Sequence, residues 1–196
     1  MAKGKVYSLG AGTWSVADSS TKLGSNSSLS SFSDGKFARL THEGLIGSNF
    51  LYVIGVGANL SDAKSEYSFK GINTTTTLNE LEAKISLVEA KLGLKYQVFE
   101  WLYLGAGGLI GDFQINYDRT DYINKGGNLE NYKESENTNY LGHFYEAGLM
   151  FASQSFGLRL GAEINSVTMQ KDVETLGNVQ PELNSSKLYL EILWKN

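Results

Sequence analysis

The chain has 196 residues, which is enough for one domain with a full core, and we predict a single domain over residues 1–196. It contains no cysteine, which excludes disulfides and thiolate metal sites. Its 17 basic and 21 acidic residues give a net charge of −4 and are mixed along the chain, so no nucleic-acid partner is expected.

The composition favours strands over helices. Twenty-two glycines, eleven tyrosines and a lone proline, Pro181, suit an all-β protein, because aromatic side chains fit pleated surfaces and proline removes a ladder donor. No stretch reaches about eighteen apolar residues, and the Met1–Gly4 start lacks the apolar core of a signal peptide. These features predict a soluble protein, unless an export signal has been removed and alternating strands cross the membrane.

Eight segments alternate between apolar and polar residues, which is the pattern of strands with one apolar face. The predicted strands cover residues 5–17, 36–46, 48–61, 79–96, 101–117, 138–152, 156–168 and 187–195. In the third strand every even position from Phe50 to Leu60 is apolar. In the fourth strand the alternation changes phase near Val88, which predicts a β-bulge there.

The connections between the predicted strands alternate in length. Long polar segments at 18–33, 62–77, 118–136 and 169–184 are separated by short turns near 47, 97–100 and 153–155. In an up-and-down barrel this places the long loops at one rim and the tight turns with both termini at the other. Such segregation is typical of transmembrane barrels.

Alternation alone leaves open which face meets water. In a soluble barrel the apolar stripes would form the core, whereas in a membrane barrel they would touch lipid and the charged side chains would fill the lumen. The soluble alternative is supported by Gly12-Thr13-Trp14, which resembles the GxW signature of lipocalins and fatty-acid-binding proteins. However, the helix of those proteins has no counterpart in residues 18–33 or after the last strand.

The alternating strands, the glycine-containing stretches Val53–Ala58 and Leu104–Gly111 and the loop asymmetry together resemble the small eight-stranded outer-membrane proteins of Gram-negative bacteria, of the OmpA transmembrane domain, OmpX and OmpW type. This resemblance implies an all-β, eight-stranded antiparallel up-and-down transmembrane β-barrel with long extracellular loops and short periplasmic turns. It also implies an outer-membrane location after removal of a signal peptide. The sequence departs from the family's aromatic last residue, because Lys195 and Asn196 follow Trp194.

In this orientation a set of nearly balanced charges points inward. The charged residues predicted to lie in the lumen are Arg39, Glu43, Glu82, Lys84, Glu89, Lys91, Glu146, Arg159, Glu163, Lys187 and Glu191. An eight-stranded barrel is only wide enough for its own side chains, so these charges should pair and plug the lumen. The alternative is a narrow ion pathway along the same groups. The predicted membrane-interface aromatics are Tyr7, Trp101, Tyr103, Tyr117, Tyr140 and Trp194.

No cofactor, metal or catalytic site is predicted. The glycine run from Gly105 to Gly111 resembles a dinucleotide-binding turn, but the alternation continues after it where a helix would be needed, so the glycines are expected within a strand. His42 and His143 lack the His-x-Ser arrangement of lipid A deacylases, and the acidic segment 118–136 lacks calcium-loop spacing.

The sequence therefore predicts a monomeric, non-enzymatic outer-membrane barrel with a plugged lumen and a structural or interaction role through its surface loops. Outer-membrane lipid and lipopolysaccharide are its expected partners, with an unidentified loop partner and no nucleic acid. The alternatives are a narrow small-solute or ion channel of the OmpW type, a lipid A-modifying enzyme and a soluble lipocalin-like binder.

Overall fold

A computed structural model of the chain describes residues 5–17, 22–23, 27–28, 35–70, 76–122, 129–170 and 182–195. Within these ranges the description covers the backbone alone at 16–17, 22–23, 27–28, 62–70, 76–83, 115, 117–122, 129–134, 136 and 182–183.

The described residues form ten strands. Their bounds are β1 Val6–Ala17, β2 Lys22–Leu23, β3 Ser27–Ser28, β4 Gly35–Leu45, β5 Phe50–Lys70, β6 Thr76–Phe99, β7 Leu102–Tyr122, β8 Leu129–Ala152, β9 Phe156–Met169 and β10 Glu182–Lys195. Strands β1 and β4–β10 close an antiparallel barrel in which each strand pairs with the barrel strands before and after it, β1 pairs with β4, and β1 also pairs with β10 to close the barrel. Within the described ranges, the short strands β2 and β3 pair with each other and with no barrel strand.

This architecture confirms the predicted eight-stranded up-and-down barrel. The short turns lie at 46–49, 100–101 and 153–155, at the same end as Lys5 and Lys195, and we call this end the turn end. The opposite end, where β1, β5, β7 and β9 finish, is the loop end. Within the described ranges, no helix is long and apolar enough to cross a membrane.

Two of the predicted long loops are mostly strand. β5 continues to Lys70 and β6 begins at Thr76, and the two strands remain paired throughout. Likewise β7 continues to Tyr122 and β8 begins at Leu129. Polar composition was an inadequate sign of a loop here, because a hairpin ladder is held by backbone hydrogen bonds and does not require apolar side chains.

The predicted bulge near Val88 is wrong. β6 keeps one unbroken register with β5 from Tyr96 to Thr76, and its register with β7 shifts only between Gln97 and Phe99. The change of phase in the sequence therefore has another cause. The same face of β6 stays inward while the kind of side chain on that face changes along the strand.

The lumen as candidate functional site

A belt of apolar side chains surrounds the barrel. On β9 it runs from Phe156 to Ile164 at alternate positions, and its large side chains, Phe156, Leu158, Leu160 and Ile164, are 50–65% exposed. On seven barrel strands the belt gives way toward the loop end to an outward polar residue, namely Thr13, Lys36, Ser86, Asp112, Asn139, Ser166 and Ser186. A tilted strand needs about 9–11 residues to cross the hydrocarbon core. The belt on β9 fits that length, so the exterior is that of a membrane-spanning barrel.

The lumen inside the belt is filled by charged side chains. The buried charged residues among the described side chains are five cations and five carboxylates, Arg39, Lys91, Lys95, Arg159, Lys187, Glu43, Glu89, Glu146, Glu163 and Glu191, each at most 5% exposed. We call these ten residues the lumen network. This arrangement contradicts the soluble lipocalin-like alternative, in which the leucines would be inside and the charges would reach solvent.

Two arginines connect several strands within the lumen network. Arg159 on β9 donates from Nη1 and Nη2 to the two carboxylate oxygens of Glu43 at 2.7 Å each, and from Nη1 to Glu191 at 2.7 Å. Arg39 donates from Nε to the other oxygen of Glu191 at 2.6 Å and from Nη1 to Glu163 at 2.7 Å. Paired arginine–carboxylate geometry of this kind gives strong, charge-assisted hydrogen bonds.

The three lysines complete the pairing. Lys91 and Lys95 lie 3.3 and 3.1 Å from the two carboxylate oxygens of Glu146, and Lys187 lies 2.5 Å from Glu89. Every charge of the lumen network thus has an opposite partner within 4 Å. Such pairing is required because an unpaired buried ion costs several kcal/mol.

Aromatic rings also lie against the five cations. The distances from cation to ring centroid are 3.7 Å for Arg39 over Tyr189, 4.5 Å for Lys91 over Phe144, 5.3 Å for Lys187 over Phe37, 5.0 Å for Lys95 over Tyr103 and 4.8 Å for Arg159 over Tyr103. All lie within the range of cation–π attraction, which stabilises a desolvated cation further.

Inward-facing glycines leave room for these large side chains. A Cβ at Gly161 would lie 2.5 Å from the hydroxyl oxygens of Tyr103 and Tyr189, which are hydrogen-bonded to each other at 2.6 Å. A Cβ at Gly107 would lie 2.7 Å from the Phe144 ring. Gly105 and Gly107 lie within β7, so this glycine run is part of a strand, as predicted.

Nearer the loop end the lumen becomes mainly apolar, with buried polar side chains such as Ser61 and Thr138 among the apolar ones. The apolar inward side chains there are Trp14, Ile85, Leu87, Leu109, Phe113, Tyr140, Val167 and Met169, each at most 6% exposed. We call these eight residues the upper layer. On the outside at this level the side chains are polar, as at Lys84, Gln114 and Thr168. The apolar and polar faces of the strands therefore exchange at the edge of the belt.

Nine of the eleven side chains predicted for the lumen lie there. Lys84 does not: it is exposed on the outside of β6, where even-numbered residues face outward. A bulge near Val88 would bring Lys84 and Glu89 onto one face, but without a bulge they lie on opposite faces of β6. Lys95 is a lumen residue that the prediction omitted, although it is four residues from Lys91 and lies on the same face of the strand. The Glu82 side chain lies outside the described part of the structure.

The predicted interface aromatics divide into two groups. Tyr7 and Trp194 stack on the outside at the turn end with ring centroids 6.2 Å apart, and Trp101 is exposed at the same end. Tyr103 and Tyr140 were predicted wrongly, because they face the lumen and are 2% exposed. A tyrosine near a strand end suits either face of the barrel wall. Only its odd or even position in the strand shows which face it lies on. The Tyr117 side chain lies outside the description.

The two histidines lie on the outer surface. His42 Nε2 is 3.0 Å from the Tyr52 hydroxyl, and its Nδ1 is buried without a hydrogen-bond partner in the described structure. His143 packs edge-on against Tyr145 with ring centroids 5.4 Å apart. Among the described residues, no three His, Cys, Asp or Glu side chains form a group that could hold a metal ion. The side chains of the acidic segment 118–134 fall outside that search.

A cavity of about 830 Å³ opens into the lumen from the turn end. Its inner end is formed by Glu43, Lys95, Tyr103 and Arg159. The lumen network therefore borders the inner end of this cavity, and the upper layer lies beyond it toward the loop end.

Comparisons with known proteins identify the fold. No protein-family model and no curated protein matches the chain. Among solved structures, Ail, the attachment invasion locus protein of Yersinia pestis, is 14% identical to this chain with a TM-score of 0.51, and the match covers 99% of this chain and 100% of Ail. Neisserial surface protein A is 14% identical with a TM-score of 0.40, over 100% of this chain and 98% of that one. The outer-membrane protein AlkL is 14% identical with a TM-score of 0.34, over 99% and 90%. The likeness to Ail establishes the fold of the small eight-stranded outer-membrane β-barrels.

Proposed function

We propose that this chain is an integral protein of a bacterial outer membrane, with a plugged lumen and a non-enzymatic structural or interaction role. The observation that carries the proposal is the lumen network: ten buried charges of balanced sign inside a barrel whose outer belt is apolar. If this barrel were soluble, its apolar belt would be exposed to water, and so large an exposed apolar surface favours association and aggregation.

The lumen network supports a plug rather than a pore. A permeating ion would have to pass Arg39, Arg159 and their carboxylate partners, and it would separate pairs that are 2.6–2.7 Å apart. Beyond them it would meet the upper layer, where Phe113 and Tyr140 are 2% exposed and offer an ion no charged partner. Moving an ion through such a layer carries a large desolvation penalty.

In this proposal the turn end faces the periplasm and the loop end faces the cell exterior, as in outer-membrane barrels generally. The monomer contacts outer-membrane lipid and lipopolysaccharide through the belt. The strands β5–β8, which extend beyond the belt, carry the surface that meets an external partner. Their backbone pairing continues to Lys70 and Tyr122, which gives the hairpins a defined frame.

Gel mobility and bilayer conductance test the proposal together. The protein folded in detergent and kept unboiled should migrate differently from the boiled form, and the folded protein in planar bilayers should give no steady conductance. Purification of the folded chain in buffer without detergent would contradict the membrane location. A reproducible single-channel current would favour the second candidate, a narrow conductor, which the open cavity at the turn end supports.

A lipid A-modifying activity is the third candidate, and the surroundings of His42 argue against it. The described contacts give His42 a tyrosine partner on one nitrogen and none on the other, whereas a hydroxyl nucleophile needs a histidine that an acid orients. Expression of the chain should leave the lipid A mass spectrum unchanged. A new lipid A species that disappears in His42→Ala or His143→Ala would contradict the non-enzymatic proposal.

A further inference from the structure

The apolar belt is low on one side of the barrel. On β1 the outward side chains of Tyr7, Leu9 and Ala11 lie between the polar residues Lys5 and Thr13. Lys5 and Thr13 are eight positions apart, which corresponds to a height of about 20 Å for a strand that rises about 3.3 Å per residue and is tilted by about 40°. The apolar band of an outer-membrane barrel is about 25 Å tall. β1 therefore falls short of that height even from one polar residue to the other.

The opposite side of the belt is taller. On β8 the outward positions between Asn139 and the turn at 153–155 hold one histidine and five apolar or aromatic residues, namely Leu141, His143, Tyr145, Ala147, Leu149 and Phe151. Asn139 and Ser153 are fourteen positions apart, which corresponds to about 35 Å by the same geometry. On β5 the outward residues are likewise apolar or aromatic from Phe50 to Leu60. We call β5–β8 the tall side of the belt, and β10, β1 and β4 the low side.

Both sides of the belt begin at the same level at the turn end. Strand pairing places Val6 of β1 opposite Lys195 of β10, and Trp194 of β10 opposite Phe156 of β9. Phe156 in turn begins β9 directly after the short turn that ends β8. The difference in height therefore arises at the loop end, where the outward polar residues begin earlier on the low side.

The polar boundary of the low side consists largely of short side chains. Thr13 of β1 lies opposite Lys36 of β4, and the next outward residue of β1, Ser15, lies opposite Ser186 of β10. A lysine in the hydrocarbon can extend its ammonium group towards water, but threonine and serine side chains are too short to do so. The low side therefore favours water or lipid headgroups at the level of Thr13.

We propose that the bilayer is thinned beside the low side of the belt, so that the headgroups of the leaflet at the loop end lie close to Thr13 and Lys36 there. On the tall side the same headgroups lie beyond Leu141. A bilayer adapts to a short apolar wall by local thinning. This inference concerns how the barrel deforms its lipid surroundings, and it rests on the proposed membrane location.

Spin labels at equal heights on the two sides test the proposal. Since the chain has no cysteine, single cysteines can replace Thr13 on β1 and His143 on β8, which lie eight positions above Lys5 and Phe151. In vesicles of dioleoylphosphatidylcholine, the label at 13 should be accessible to a water-soluble nickel complex, and the label at 143 should be accessible to oxygen and protected from nickel. In vesicles of dilauroylphosphatidylcholine, whose hydrocarbon core is thinner, the nickel complex should reach both labels.

Labels at the turn end control for a tilt of the whole barrel. Lys5→Cys and Phe151→Cys place labels at the lower limit of the belt on the same two strands. These two labels should report the same depth if the bilayer is thinned from the loop end. A tilted barrel would instead move one of them deeper and the other towards water.

A matched pair of double variants tests the cause of the thinning. Thr13→Leu with Lys36→Leu adds one apolar row to the low side, and Asp112→Leu with Asn139→Leu adds one to the tall side, because each pair occupies directly opposite positions. In dioleoylphosphatidylcholine vesicles the first variant should unfold at a higher urea concentration than the unchanged protein, and the second should not. Gel mobility of the unboiled protein checks that both variants fold.

Three results would overturn the proposal. The first is equal nickel accessibility of the labels at 13 and 143 in dioleoylphosphatidylcholine. The second is a difference in depth between the labels at 5 and 151 as large as that between 13 and 143, which would assign the effect to tilt. The third is an equal rise of the unfolding midpoint in both double variants. Full nickel access to all four labels would contradict the membrane location itself, so failure of the proposed function is distinguishable from failure of this inference.

Discussion

On β9, Leu160 faces outward and Glu163 faces the lumen within the belt, whereas a few residues further on Thr168 faces outward and Val167 is buried inside. The strand and its pleat are the same in both regions, and its register with β10 continues through both. The difference lies in the medium around the barrel. Hydrocarbon around the belt favours apolar side chains outside, and water above the belt favours them inside.

The comparison also separates two ways of filling a narrow barrel. Within the belt the interior is held by ion pairs and cation–π contacts, and in the upper layer it is held by close packing of rings and aliphatic side chains. The stability of the ion-paired interior depends on every charge keeping its partner. The stability of the closely packed interior depends on how well the side chains fill the space, so the two regions should respond differently to matched substitutions.

Removal of one charge from the lumen network should have the largest effect. Arg159→Met removes the bidentate partner of Glu43 and one partner of Glu191, which leaves the lumen network with five carboxylates and four cations, and loss of one partner from a buried ion pair costs about 3–5 kcal/mol. The exposed Lys84 on the outside above the belt is the control, and Lys84→Met should change stability by less than about 0.5 kcal/mol. Urea unfolding in phospholipid vesicles measures both. Equal stability of the two variants would contradict the pairing account.

A charge placed on the outer face should distinguish the two media. Leu160→Arg puts a guanidinium into the belt and should destabilise the folded barrel by about 2–4 kcal/mol, whereas Thr168→Arg on the same strand should cost about 0–1 kcal/mol. The same unfolding measurement applies. A similar loss in both variants would mean that the belt ends elsewhere.

Deletion of one methyl group should distinguish the interior of the upper layer from the belt. Ile85 is 1% exposed in the upper layer, so Ile85→Val should cost about 0.5–1.5 kcal/mol through the cavity that it leaves. Ile110 is 57% exposed in the belt, and Ile110→Val should be close to neutral because lipid adapts to the change. A larger loss at Ile110 than at Ile85 would refute the assignment of the two faces.

The smallest expected effect concerns the tyrosine pair inside the lumen. Tyr103→Phe removes a hydroxyl that lies 2.6 Å from that of Tyr189, while Tyr189 keeps its bond to Glu146 at 3.0 Å. The net loss should be about 0.5–1 kcal/mol, as for one ordinary hydrogen bond. The exposed Tyr145 in the belt is the matched control, and Tyr145→Phe should leave the unfolding midpoint unchanged.

Much of the barrel could be predicted from the sequence because alternation shows strands directly. The number of strands, their antiparallel order and the short turns followed from runs such as Phe50–Leu60 and Phe156–Ile164. The reversal of faces gives the same change of phase in the sequence near Val88 as a bulge would. A period of two shows which residues share a face, but it does not show where the surrounding medium changes.

The errors at the site have the same origin. The prediction for Lys84 fails because polar residues point inward along only part of β6. Residue type suits Tyr103 and Tyr140 to the membrane interface, but their positions in the alternation turn them toward the lumen. The partners within the lumen network, such as Arg159 with Glu43, are 116 positions apart and depend on the closure of the barrel.

A spin-label scan along β9 tests the central claim most directly. Since the chain has no cysteine, single cysteines can be introduced at Leu158, Leu160, Ala162, Ile164, Ser166 and Thr168 without further changes. In phospholipid bilayers, labels at 158–164 should be accessible to oxygen and protected from a water-soluble nickel complex, and labels at 166 and 168 should show the reverse. Equal access of the nickel complex at all six positions would contradict the account.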